Sequence, residues 1–419
     1  MNPPERSAVV AGLRAAVIWL LDSGAMREDG GLRSIYRPAG GKYLTYGGGL
    51  SCLQCTAGGV ISLLAAAKSR DIPADLATRC SAAARKSAGH ILGLVGPGPG
   101  PSAGSLPCGL EAGSVKTLHT EAGIRAMIAF GEATGEEHFV VAAASAARWA
   151  LVTLQERNGS FRSGTAFTFR SRLRTRLAGA SPMGAAAYVV TLRKLANLTG
   201  ETDFGDAAER LFAWLRLQQD EEGGFPMYRY GALTRLTAPR FNGGSAEILS
   251  GCLRYHPNPN AWMIEASRRE KWEAGARRVS EWFVPRIGPN GLTYQYYFRH
   301  GVNAASLRGG PLAPGGVITE PYGLRSVEED VMPTASLGLQ WLMRPDLVPQ
   351  GRAAELLARI ASGVLYAQVT SGDSRSVGGI RGLPLHPVFN NDIYVWDTVY
   401  GVLFLAAYLE KADADPPAG

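Results

Sequence analysis

Tryptophan returns at a near-constant interval in this chain. Trp149 and Trp214 stand 65 residues apart, Trp214 and Trp282 stand 68 apart, and Trp19 precedes Trp149 by 130, two such periods. Each opens or closes an apolar run that breaks on glycine: IWLLDSGAMREDGGLRSIY at 18–36, WALVTLQERNGSF at 149–161, WLRLQQDEEGGFPMYRY at 214–230 and WFVPRIGPNGLTYQYY at 282–297. VLYAQVTSGDSRSVGGIRG at 364–382 follows the same plan without the tryptophan. A period this long exceeds that of the common short solenoid repeats. It accommodates two helices and a long loop.

Apolar periodicity and the breakers between runs predict helices near 5–24, 50–69, 73–95, 111–134, 137–156, 181–199, 202–220, 243–255, 262–284, 328–344, 349–369 and 391–411. Strand-like alternation is confined to loops, as in AFTFRSRLRTR and LTYQYYFR. Twelve helices make six hairpins. The expected fold is therefore all-α, an (α/α)6 toroid forming one domain over residues 1–419. The small-residue segments GGGLSCLQCTAGGV, SPMGAAAYVV and NGGSAEILSG suit a closely packed inner ring. Charged segments such as ASRREKWEAGARRVSEW suit the outer one. Two separate helical domains, joined at GPGPGPSAG (96–104), are the rival arrangement. Gly223 and Gly224 are expected to end an outer helix, where the left-handed conformation favours glycine. All long loops then gather on one face of the ring, the usual place for function on a rigid scaffold.

The Trp, Gln and glycine-turn repeat resembles the α/α-toroid enzymes: terpene cyclases with Q–W repeats, six-hairpin glycosidases, polysaccharide lyases and the C-terminal domain of glucuronyl C5-epimerases. Within that group LQQDEEGGFPMYRY is similar to a QxxxGGWP segment of the epimerase domain. GGIRGLPLHPVFNNDIYVWDTVYGVLFLAAYLE resembles the closing hairpin of bacterial toroids associated with polysaccharide synthesis. The resemblance implies a saccharide-processing enzyme without fixing its catalytic residues. The DxDD acid of class II terpene cyclases is absent. So are the two-Cys, one-His zinc motifs of lanthionine cyclases.

Inner-helix N-termini point into the central funnel and favour anions there. Polar residues at those starts are His119 and Glu121, Glu247, Glu328, Glu329 and Asp330, and Asn390, Asn391, Asp392, Tyr394 and Asp397. Such residues also serve as ordinary helix caps. Asp392 and Asp397 are five apart, so at most one faces inward with Tyr394. Arg170, Arg172, Arg174 and Arg176 would share one side of an extended segment, and the arginine fork matches carboxylate, sulfate or phosphate. Arg229, Arg299 and Arg381 fall in equivalent loops. Rim tyrosines, among them Tyr46, Tyr228, Tyr230, Tyr294, Tyr296, Tyr297 and Tyr322, suit stacking on sugar rings.

The expected partner is an acidic, uronate-containing oligo- or polysaccharide, consistent with a formal charge of +7. Abstraction of the C5 proton, by an epimerase or lyase, needs a base: His119, Tyr230 or Tyr394. Asn391 or an arginine would hold the carboxylate. Tyr46, Arg170, Arg172, Tyr228, Arg229, Glu247, Tyr296 and Arg381 complete the expected binding surface. Hydrolysis needs two flanking carboxyl groups, and Glu329 or Asp330 could pair with Asp392 or Asp397. The alternatives are a terpene cyclase-like enzyme with an aromatic pocket, or a non-catalytic glycan- or protein-binding toroid.

No cofactor is implied. GGG at 47–49 and GPGPG at 96–100 lack the lysine and strand context of a phosphate loop. No metal site is expected either. Cys52 and Cys55 form a lone CxxC, read as two small residues on a buried helix face. Five cysteines do not make a disulfide scaffold. The arginine run comes with no nucleic-acid recognition motif. AVVAGLRAAVIWLL at 8–21 is too short to span a bilayer and contains Arg14, so it reads as a first helix and the protein as cytoplasmic. Oligomeric state is not legible.

Overall fold

The computed structural model describes residues 3–45, 51–96, 103–107, 114–162, 164–166, 180, 182–226, 254–255, 257–294, 297–298, 317–320, 323–326, 329–384 and 390–414. Among them are twelve α-helices: α1 (Arg6–Asp22), α2 (Leu53–Lys68), α3 (Ala74–Leu94), α4 (Thr117–Thr134), α5 (Glu137–Leu154), α6 (Pro182–Thr199), α7 (Thr202–Arg216), α8 (Pro257–Arg269), α9 (Glu273–Phe283), α10 (Val331–Met343), α11 (Ala353–Ala367) and α12 (Val395–Ala414). The even-numbered helices pack on one another in the order α2, α4, α6, α8, α10, α12 and back to α2. The odd-numbered helices lie outside them. This is an (α/α)6 toroid.

Five of the inner helices run through a short connection into the next outer one, while the return from outer to inner runs through a long loop. The described parts of these six loops lie on the rim formed by the inner-helix N-termini. They carry short strands, such as the antiparallel set in which 35–37 pairs with both 42–44 and 393–394. The sixth hairpin is assembled from α12 and α1. Arg6 spans that closure, meeting Asp71 at 2.9 Å and Asp413 at 3.1 Å. Among the described residues no helix is long and apolar enough to cross a membrane.

The repeat in the sequence has a physical cause. Gln155 donates to the carbonyls of Gly159 (3.3 Å) and of Ala207 in α7 (3.2 Å). Gln219 does the same to Gly223 (2.9 Å) and to Gly275 in α9 (3.3 Å), and Gln368 to Gly378 (2.9 Å) and to Gly12 in α1 (2.8 Å). Each glutamine closes its own loop and fastens it to the next outer helix. A glycine in every long loop then presses against a carbonyl of that helix: Gly30, Gly104, Gly159, Gly223, Gly291 and Gly378, all with positive φ. At Gly223 φ is 98° and an added Cβ would stand 2.7 Å from the Arg278 carbonyl oxygen. Gly223→Ala is expected to cost about 2–4 kcal/mol, combining left-handed strain with overpacking against backbone. A chemical denaturation midpoint equal to that of the parent would refute this account of the repeat.

Three predicted segments differ. The helix expected at 202–220 stops at Arg216, and Gly223 lies beyond it in the loop rather than at its end. The helix expected at 262–284 is two helices, α8 and α9, broken at Lys271, whose φ is 55°. Neither glycine nor proline marks that break, so the pattern reads as continuous. The inner helix placed at 243–255 falls outside the described residues except for 254–255, which are strand. The inner helix of that hairpin is α8 instead. Its Pro257 and Pro259 sit in the first turn, where a missing N–H costs little.

Candidate active site

Helix α10 starts without a cap of its own. Asp330 is its N-cap residue, in extended conformation, yet its side chain bonds no helix N–H as a cap. Instead the Met332 N–H donates to Asp397 Oδ1, at 2.7 Å, from the first turn of neighbouring α12. The Asp330 carboxyl lies against that of Asp397 in hydrogen-bond contact. Both groups are buried. Burial first, and the Asp397 charge second, push Asp330 well above the usual carboxylate range. Burial also pushes Asp397 up to about 7, against hydrogen bonds from the Met332 N–H and Trp396 that hold it down. Two carboxyls so placed titrate as a pair sharing one proton. Gly382 makes the room: a Cβ there would lie 2.7 Å from Asp397 Oδ2 and 2.6 Å from the Tyr394 ring.

The polar arc continues along the rim to α2 and α4. The buried Cys55 thiol faces Asp397 on one side and Cys52 on the other, with the Ser34 hydroxyl bonded to it. Cys52 is the N-cap residue of α2, and its N–H donates to the Leu32 carbonyl at 2.7 Å. A hydrogen bond from Cys55, then one from His119, hold the Cys52 thiol well below its ordinary value. Burial and the Cys52 charge push Cys55 far the other way. His119, in the first turn of α4, is buried with its Nδ1 unpartnered. Asp330, Asp397, Cys55, Cys52 and His119 thus form one chain of titratable groups across four consecutive inner helices.

A second cluster lies one turn deeper. Glu121 Oε1 accepts from Arg125 Nε at 3.0 Å and from the Thr191 hydroxyl at 2.6 Å. Arg125 lies 4.7 Å from the Trp262 ring centroid and bonds Tyr400. Burial opposes the guanidinium charge, but Glu121 and Tyr400 hold its pKa above the ordinary value. Glu121 Oε2 and the Tyr188 hydroxyl are buried and unpartnered. Four inner helices contribute to this floor. The opposite end of the ring holds a cavity of about 700 Å³ whose walls mix apolar side chains (Ile61, Leu64, Leu339, Leu403) with acids (Asp71, Glu132, Glu410, Asp413).

The other expected site residues are distributed differently. Asp392 is taken up by Arg37 in a forked ion pair (3.0 and 2.7 Å) that joins two rim strands. Both Glu329 oxygens accept from Asn290 Nδ2, at 2.7 and 2.6 Å. Arg381 donates to the carbonyls of Ala367 (3.1 Å) and Tyr366 (2.8 Å), closing the end of α11. Asn391 is exposed in a turn. Tyr394 is buried beside Asp397, over Gly382. Tyr46, Arg170, Arg172, Tyr228, Arg229, Tyr230, Glu247 and Tyr296 lie outside the described residues. Cys52 and Cys55 are both buried at the start of α2, as the packing reading of the CxxC expects. Arg125, which joins the deeper cluster through Glu121, carries no sequence signal of its own. Among the described residues no three His, Cys, Asp or Glu side chains are arranged to hold a metal ion.

An acid/base pair in contact differs from the carboxyls of a glycosidase, which stand about 5–9.5 Å apart across the bond they cleave. Asp330 and Asp397 can pass one proton in and out. They cannot straddle a glycosidic linkage.

No family model matches the chain, and no curated protein matches it. Solved structures do match in fold. A sugar epimerase from a ruminal bacterium superposes with a TM-score of 0.68 at 9% identity, over 97% of this chain and 98% of that one. Cellobiose 2-epimerase from Spirochaeta thermophila gives 0.65 at 13% identity, over 98% and 96%. An unsaturated glucuronyl hydrolase specific for heparin gives 0.63 at 11% identity, over 97% and 98%. At these identities the likeness establishes the (α/α)6-toroid fold that the chain shares with them.

Proposed function

We propose that this protein is a carbohydrate-active enzyme that adds or removes a proton on a saccharide bound in the funnel at the inner-helix N-termini. The observation that carries the reading is the Asp330–Asp397 pair, buried and in contact, with burial raising both carboxyls and Asp397 to about 7. A general acid or base works best with a pKa near the operating pH. The contact favours proton transfer, as in epimerisation, elimination or hydration of an unsaturated sugar, over two-carboxylate hydrolysis. His119, with its open Nδ1, stands at the other end of the arc as the second proton-transfer group. Tyr394 flanks the pair. Epimerases and a glucuronyl hydrolase among the fold neighbours support the saccharide class. The narrower uronate reading rests on Arg170, Arg172 and Arg229 together with Arg125 at the funnel floor.

Proton NMR in D2O, with a panel of uronate-containing glycans and neutral disaccharides, tests this directly. Exchange of a ring C–H signal signifies epimerisation, and a new vinyl signal signifies elimination. Loss of a vinyl signal from an unsaturated glycan signifies hydration. New reducing-end signals from saturated glycans alone would favour hydrolysis and remove the proposed role of the pair. No change with any glycan would overturn the saccharide reading and make isoprenoid diphosphates the next substrates.

A further inference from the structure

We propose a second reactive centre on the rim: Ser51 is a nucleophile toward carboxylic esters, His90 its general base and Asp29 the positioning residue behind that base. The Ser51 Oγ stands 3.2 Å from His90 Nε2. On the far side of the ring His90 Nδ1 lies 3.8 Å from Asp29 Oδ1, and the Asp29 backbone also bonds the ring. Carbonyl and carboxylate oxygens only accept, so Nδ1 carries the ring proton. The Nε2 lone pair is then left to take the proton of the Ser51 hydroxyl. Hydroxyl, imidazole and carboxylate in this order are the arrangement that activates a serine.

One turn, residues 29–32, holds the three groups together. Gly30 lies against the Lys86 carbonyl, and the Ser87 hydroxyl donates to the Gly30 carbonyl at 2.8 Å, which seats the turn on α3 just before His90. The Leu32 carbonyl accepts from the Cys52 N–H at 2.7 Å, and the Leu32 N–H donates to the Thr56 hydroxyl at 2.9 Å, which seats it on the start of α2 beside Ser51. Asp29 Oδ1 accepts from the Gly31 N–H at 3.0 Å and from Arg27 Nε at 3.2 Å. A Cβ at Gly31 would stand 2.7 Å from Ser51 Cβ and 2.8 Å from His90 Nε2, so glycine leaves the pair uncovered. The centre is reachable: Ser51 is half-buried, and the His90 and Asp29 side chains are 13% and 46% exposed. Burial lowers His90 from its ordinary value; the Asp29 charge opposes this and Arg27 adds to it. The ring is therefore neutral at pH 7 and able to accept a proton.

Ser51 Oγ bonds to the ester carbonyl carbon as its proton passes to His90 Nε2. The carbonyl π pair moves onto oxygen, a charge favoured by the positive end of α2, which begins two residues after Ser51. Collapse breaks the ester C–O bond, and the alcohol leaves with the proton from His90. Water then adds to the acyl-serine with His90 as base, which releases the carboxylic acid and restores Ser51. Water is the only co-reactant. Neither Ser51, His90 nor Asp29 takes part in the chemistry proposed for the funnel, so the two readings stand or fall separately.

The native protein is treated with phenylmethylsulfonyl fluoride and mapped by peptide mass spectrometry, and its hydrolysis of p-nitrophenyl acetate is followed across pH. The expected result is a sulfonyl adduct on Ser51. Ser51→Ala and His90→Gln should each remove the adduct and slow hydrolysis by about 10²-fold or more, the usual contribution of such groups. Asp29→Asn should cost less, because the Asp29 backbone still holds the ring. It should also move the acidic limb of the pH–rate profile to lower pH, since the lost charge is the one that raises His90, and Asp29→Glu should restore it. An unmodified Ser51, or hydrolysis that survives Ser51→Ala or His90→Gln, would overturn the proposal. An unmoved pH profile in Asp29→Asn would strike Asp29 from the centre. Should a variant fail to fold, the adduct map of the native protein decides.

Discussion

Asp397→Asn is expected to lower turnover on the substrate identified by NMR by about 10²–10⁴-fold, the usual contribution of a general acid or base. The same substitution should make the protein more stable at alkaline pH. The sign follows from where the protons sit. In the unfolded chain Asp397 ionises near its ordinary value, about 3.9. In the folded chain burial beside Asp330 raises it to about 7. Between those values the native state holds the proton more tightly, so this contribution is fully present below about pH 4. It is lost as the pH rises through 7. Asparagine keeps an oxygen to accept from the Met332 N–H and offers an amide to Asp330, without the titration. Relative to the parent, Asp397→Asn should therefore gain roughly 1–3 kcal/mol between pH 4 and pH 8. Thermal melts at several pH values measure this. Parallel curves for the two proteins would mean that no shared proton is held at this site.

Arg125→Met is expected to destabilise the fold by about 3–5 kcal/mol, because it leaves the Glu121 carboxylate buried without its partner. Glu121 is fully buried, and the Thr191 hydroxyl alone would remain to satisfy it. The double substitution Glu121→Gln with Arg125→Met should recover most of that loss, since removing both charges removes the desolvation problem. Denaturant titration of the parent, the two single variants and the double variant closes the cycle. If the double variant is as unstable as the sum of the singles, Arg125 acts through its packing on Trp262 and not through Glu121.

The architecture was legible because it is written locally. Apolar period, small-residue helices and the Gln-to-Gly spacing each operate within some twenty residues; GGGLSCLQCTAGGV and SPMGAAAYVV lead to α2 and α6, while NGGSAEILSG lies outside the described residues. The fourth hairpin was misread for the same reason. Pro257 and Pro259 resemble breakers but occupy a first turn, while Lys271 breaks the run in a conformation its residue type disfavours. Site residues were legible as positions and not as partners. Asp330, Asp397 and His119 were expected at inner-helix starts, and they stand there. That Asp330 touches Asp397, while Asp392 turns away to Arg37, depends on distances between segments 67 and 355 residues apart. Periodicity carries no such information. Arg125 escaped notice because a charged residue two turns into a helix looks like any solvated one until the ring closes around it.

The closure of the ring by α12 against α1 and α2 has a temporal consequence. The arc brings Cys52 and His119, from the first third of the chain, against Asp330 and Asp397, from its last quarter. A growing polypeptide can complete hairpin after hairpin on the ribosome and still lack that arc. Only when α12 slots into the gap between α10 and α2 do the proton-carrying groups meet. A chain interrupted before α12 therefore lacks the Asp330–Asp397 contact, whichever hairpins it has already formed.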